Sequence, residues 1–154
     1  MRSLGSSCRP LLVALAAVCL PWHPALAAQD VPIGTITKDP EPFHLRQVTL
    51  RGTVREVHPL ETYFQPSGTA CHSAYLFTLE DETGVLEVMV VGLCGSAMLP
   101  RPPDVSAGNR VLIRAEIQAP GHLGSFYGLD GRPLQGLNPK HLHAIAKGIE
   151  HLPQ

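Results

Sequence analysis

Beyond residue 27 the chain keeps two cysteines, Cys71 and Cys94, and seven of its histidines. Neutral imidazole is a ligand for zinc, copper or haem iron. His58, His72 and His122 fall in two Gly- and Pro-rich stretches, 58–72 and 119–140, and His72 adjoins Cys71. The spacing argues against a metal: there is no His-x-x-His, no Cys-x-x-Cys and no haem-attachment motif, and His141-x-His143 is the nearest approach to a ligand pair. No metal or cofactor is expected, and metal or haem binding through the loop histidines stands as an alternative. The same stretches carry rings, Tyr63 and Phe64 in the first, Phe126 and Tyr127 in the second. Rings give much contact area at little entropic cost. With His72 and His122 as polar partners, these four are the candidate ligand-binding residues; their competing role is to pack long loops onto the body of the protein. No serine, threonine or cysteine stands in a nucleophile motif, and the acids Glu56, Glu61, Glu80, Glu87 and Glu116 are scattered. No residue is assigned to catalysis, and the chain is expected not to be an enzyme.

The elements that would position these groups begin with a hairpin. Tyr75, Phe77 and Leu79 alternate with Leu76, Thr78 and Glu80; after Asp81-Glu82-Thr83-Gly84, Leu86, Val88 and Val90 alternate with Val85, Glu87 and Met89. Period-two alternation on both sides of a turn is the signature of paired strands. If 81–84 is the loop, facing residues sum to 165, so Tyr75 meets Val90, Phe77 meets Val88, Leu79 meets Leu86 and Cys71 meets Cys94. Opposed strand residues have Cα atoms about 4.5–5.5 Å apart, within the range of about 4.4–6.8 Å that a disulfide spans. The pair is expected to be a disulfide, and closing its loop is worth roughly 3 kcal/mol. The other hairpin face, with Leu76, Thr78, Glu80, Val85, Glu87 and Met89, has no aromatic and no cation. It lacks what a single-stranded nucleic acid needs, rings for stacking and cations for the backbone.

Gln47 to Val57 is expected to be a long strand with a bulge or bend near Gly52, because Val48, Leu50 and Val54 share one parity and Val57 the other. Arg110 to Gln118 is another strand, with Val111, Ile113, Ala115 and Ile117 inward, and a fifth falls within Leu142 to Leu152. Ile36 and Phe43 are expected to lie against the barrel from a short turn or helical turn. Five strands, the first long and bent at a glycine, make an all-β fold: a five-stranded OB-fold Greek-key barrel with long loops and little helix. Val48-Thr49-Leu50-Arg51-Gly52-Thr53-Val54, the Tyr75-to-Gly84 stretch and Ala107-Gly108-Asn109-Arg110-Val111 resemble the first strand, the second strand with its turn, and the glycine turn into strand four of OB domains of the tRNA-anticodon, nucleic-acid-binding type. The resemblance covers about Ile36 to Leu152. It implies the barrel, and by analogy of fold alone a single-stranded nucleic acid as ligand.

Residues 1–27 read as a signal peptide: Arg2 and Arg9, an apolar run from Leu11 to Leu20, then Ala25-Leu26-Ala27 as a cleavage site. Residues 28–35 are expected to be a flexible arm and 36–152 the barrel domain. Without Arg2 and Arg9 the chain has ten basic and thirteen acidic residues, a net charge of −3 with histidines neutral. That is the wrong sign for affinity built on phosphate neutralisation. The expectation is a periplasmic or secreted binding module with no transmembrane anchor after cleavage. Its partner would be a protein, peptide or saccharide of the cell envelope, recognised through loops 58–72 and 119–140.

Overall fold

The computed structural model describes residues 30–65, 67–95, 99–122 and 140–153. Five strands close into a barrel: β1 (Gln47–Pro59), β4 (Tyr75–Glu80), β5 (Val85–Val90), β7 (Arg110–Gln118) and β8 (His143–His151). Their order round the barrel is β1-β4-β5-β8-β7. All neighbours are antiparallel except β5 and β8, which run parallel. This is an all-β, OB-like barrel. Three short strands, β2 (Tyr63–Phe64), β3 (Ala70–His72) and β6 (Leu93–Cys94), form a separate sheet in the order β2-β3-β6.

The alternation in the sequence is what closes the core. Tyr75, Phe77, Leu79, Leu86 and Val88 are buried together with Leu50, Val54, Val111, Ile113, Ala115, Ile117 and Ala144. The β4–β5 register is the one the turn dictates, from Tyr75 opposite Val90 to Glu80 opposite Val85. Asp81 holds that turn. Its Oδ1 accepts from the Thr83 and Gly84 amides at 2.7 and 2.9 Å and from the Thr83 hydroxyl at 2.6 Å.

β1 serves two partners. Gln47 to Thr53 pair with β7 and Thr53 to Pro59 with β4, with a register shift between Val54 and Val57. The expected bend is present, and Gly52 allows it: a Cβ there would lie 2.6 Å from the Glu80 carbonyl oxygen. No side chain fits where β4 crosses so closely. The bulge itself falls a few residues later than the glycine.

The stretch read as a flexible arm over residues 28–35 is, from Asp30 onward, part of the packed body. Asp30 bridges to Thr49, and α1 (Ile33–Lys38) buries Ile33 and Ile36 completely in the barrel core. Residues at i and i+3 of a helix share a face, so one turn places both isoleucines inward. The Ile33 amide donates to Asp81 Oδ2 at 2.8 Å and the Gly34 amide to the Thr83 hydroxyl at 2.7 Å. The hairpin turn therefore takes up two amides of the first helical turn, which have no partner within the helix. Phe43, in a single 3-10 turn (Glu41–Phe43), packs on the same core, as expected. Val105 joins it from the connection between β6 and β7, where the Tyr75 hydroxyl donates to Asp104 Oδ1.

Candidate functional site

Two surfaces of this frame carry groups able to meet a ligand. The first is the small sheet. Cys71 and Cys94 are partners across β3 and β6 with Cα atoms 4.0 Å apart, and their sulfurs are bonded at 2.01 Å. The residue pairs still sum to 165 there, so β3–β6 continues the hairpin ladder past a break. The stretch 58–72, read as a loop, instead contains the end of β1, then β2 and β3. Strands of two or three residues are too short to show a period.

Register sorts the side chains of this sheet. Tyr63 pairs with Cys71, Phe64 with Ala70, and Leu93 with His72. Successive strand residues point to opposite faces, so Tyr63 shares the disulfide face, while Phe64, Ala70, His72 and Leu93 share the other. Tyr63 is turned toward Gly92, where a Cβ would come within 3.2 Å of its ring. Burial raises its hydroxyl pKa, and a hydrogen bond with the Gly92 backbone opposes the rise. Phe64 and Leu93 are 42% and 44% exposed. Between them His72 is half-buried, its Nδ1 2.9 Å from the Thr62 hydroxyl. Of the sequence candidates, Phe64 and His72 share a face; Tyr63 lies behind them.

The second surface is the outer side of β4, β5 and β8. One cross-strand row reads His58, Leu76, Met89, Ile145 and Glu116; the next reads Thr78, Glu87, His143 and Gln118. Much of this face is covered in the structure. Met89 is fully buried, Ile145 and Leu76 are 3% and 5% exposed, and Leu60 packs over Leu76 and Met89. Among the described residues, His143 and Gln118 are the buried polar ones, at 3% and 6%. The Gln118 amide donates to Glu116 Oε1 at 2.9 Å.

Glu87 is half-buried. Burial raises its carboxyl pKa, and the nearby His141 and His58 act against that rise. His143 Nδ1 lies 3.2 Å from the His141 carbonyl oxygen, which only accepts, so Nδ1 carries the proton. Burial lowers the His143 pKa, and that carbonyl opposes the effect. Its Nε2 is buried and has no hydrogen-bond partner among the described residues.

Sequence reasoning missed Glu87, His58 and His143 as a group. The bulge between Val54 and Val57 sets His58 beside Leu76, and only the parallel β5–β8 pairing sets His143 beside Glu87. The two-residue spacing of His141 and His143 was a signal, although the link it produces is side chain to backbone.

His122 is placed elsewhere. Its ring stacks on His44 with centroids 3.7 Å apart, and its Nε2 lies 3.3 Å from Glu41 Oε2. This group sits beside the start of β1, where the Ala119 amide donates to His44 Nδ1 at 3.2 Å. Phe126 and Tyr127 lie outside the described residues, as does the segment read as a signal peptide.

Several arginines are paired. Arg51 meets Asp30 at 2.7 Å, Arg55 meets Glu80, and Arg110 donates to the Pro153 carbonyl at 3.3 Å. Among the described residues, no three His, Cys, Asp or Glu side chains converge as a metal site, and no helix is long and apolar enough to cross a membrane. No protein-family model matches the sequence, and no curated protein matches it either.

Proposed function

We propose that the protein is an exported, non-catalytic binding module that holds a polypeptide partner of the cell envelope on its disulfide-pinned sheet. The observation that carries this reading is the shared outward face of Phe64, His72 and Leu93, two exposed apolar side chains about a polar one. Large exposed apolar side chains grouped on one patch mark interaction surfaces, and a ring flanked by an aliphatic side chain suits a polypeptide anchor. A disulfide beneath the patch limits the ordering cost on binding. The same bond occupies both sulfurs, which leaves no thiol nucleophile in the exported chain.

Recognition of nucleic acid, implied by the likeness to anticodon-type OB domains, has less support. Arg51 and Arg55 face acids across ion pairs, where a continuous cationic stripe would be needed. A photo-crosslinking residue at position 64, compared with one at exposed position 85, tests the reading in cells that export the protein. An adduct whose mass includes peptides from a second protein, formed from position 64 and not from 85, is the expected result. An adduct removed by nuclease, or equal yields from both positions, would overturn it.

A further inference from the structure

We propose that the cleft between β7 and β8 on the outside of the barrel binds a small apolar α-amino acid, with its carboxylate on Arg114 and its ammonium on Glu150. The site shares no residue with the face of Phe64, His72 and Leu93 and does not depend on a polypeptide partner.

A cleft of about 220 Å³ is lined by Leu112, Arg114, Gly148, Ile149 and Glu150. Register builds it. Arg114 pairs with Gly148 and Leu112 with Glu150, so these four stand on one face in two adjoining rows. The face is the outer one, since Val111, Ile113 and Ala115 alternate with them into the core. Gly148 leaves its place in the row empty, and the Arg114 guanidinium lies across it. A Cβ there would fall 3.0 Å from Nη2 and 3.5 Å from Nε. Leu112 and Ile149 are part-buried and give the cleft an apolar lining.

The other charges around the cleft are committed elsewhere. Arg51 meets Asp30, and Arg110 donates to the Pro153 carbonyl. Glu116 accepts from the Gln118 amide on one oxygen and has Lys147 Nζ 3.6 Å from the other. Arg114 and Glu150 differ: no hydrogen bond or ion pair joins them to each other or to another described residue. An exposed arginine needs no partner, so that fact alone would mean little. What points to a ligand is that opposite charges line one apolar-walled cleft without meeting. Cross-strand diagonals stand about 7–8 Å apart, and the guanidinium is spread over Gly148 rather than along that diagonal.

An α-amino acid carries a carboxylate and an ammonium on one carbon, so a single molecule can meet both groups. The guanidinium presents parallel N–H donors that match a carboxylate, and the Glu150 carboxylate accepts from an ammonium. The volume falls below the roughly 300–1,000 Å³ of sites for drug-sized ligands. That sets the occupant at amino-acid size and gives its apolar side chain to Leu112 and Ile149.

The test titrates the full exported chain, labelled with nitrogen-15 in its arginine side chains, with L-leucine, N-acetyl-leucine and leucinamide. Each derivative lacks one of the two charges. The Arg114 Nε–H resonance should shift saturably with millimolar leucine, and each derivative should bind at least about tenfold more weakly. Glu150→Gln should remove the preference for leucine over N-acetyl-leucine. Gly148→Ala, which puts a methyl group where the guanidinium lies, should weaken leucine binding by a similar factor. No saturable shift, equal binding of the three compounds, or an unchanged preference in Glu150→Gln would overturn the site. The three-compound comparison uses the unsubstituted chain, so it decides the matter even if a variant folds poorly.

Discussion

The inner and outer faces of the β4–β5 hairpin come from alternate residues of the same two strands, yet they are held in place by different means. The inner face is apolar from end to end and needs no more than alternation to find the core. The outer face mixes Leu76, Thr78, Glu87 and Met89, and its burial depends on what other segments bring to it: Leu60 after β1, and Ile145 and His143 from β8. Local pattern decides the first. Long-range pairing decides the second, and there polar side chains, Gln118 and His143, end up buried.

The largest effects should test whether both faces are truly packed. Phe77→Ala on the inner face should cost about 3–5 kcal/mol, and Met89→Ala on the outer face about 2–5 kcal/mol. Denaturant unfolding measures both; a loss of less than about 0.5 kcal/mol for Met89→Ala would make the outer face an ordinary solvated one. Next comes the disulfide, which continues the same ladder. Cys71→Ser should lower stability by roughly 3 kcal/mol under oxidising conditions, and the difference should vanish when both proteins are compared in reductant.

Smaller effects come from buried His143 and half-buried Glu87, and they have opposite signs with pH. His143 has a folded-state pKa below its ordinary 6.5, so between the two values the unfolded chain binds more protons. Stability attributable to it is therefore lost as pH falls below about 6.5, and His143→Asn should flatten that limb of a Tm-against-pH profile. Glu87 has a folded-state pKa above its ordinary 4.5, so its charged form opposes folding as pH rises through that range. Glu87→Gln should then raise Tm slightly at neutral pH, and a lowered Tm would mean that the carboxylate has a partner in the free protein.

How far the sequence could be read follows the same division. The strands of the barrel, the hairpin register and the Cys71–Cys94 pair were legible because alternation, a turn and a parity rule fix them locally. That β1 is irregular was legible from its phase change, although the shift falls between Val54 and Val57 and not at Gly52. The docking of Ile33 was not, since six helical residues between prolines carry too little pattern. β2, β3 and β6 were hidden by their length. Phe64 and His72 were found as candidates for their chemistry, but that they share a face and Tyr63 does not depends on a register no local signal supplied. The Glu87–His143 pairing was hidden for a further reason. A parallel partner lies far along the chain, and nothing in either segment announces it.

That parallel pairing also orders events in time. β8 fills the gap between β5 and β7, so until residues as late as His151 are available both of those strands keep an open edge. Open edges are templates for mispairing with other chains. A nascent chain can form the hairpin early, but it cannot shut the barrel until its C-terminal strand has been made. The interval between those two moments is when it is most exposed to aggregation, and when a chaperone would find it still unfolded.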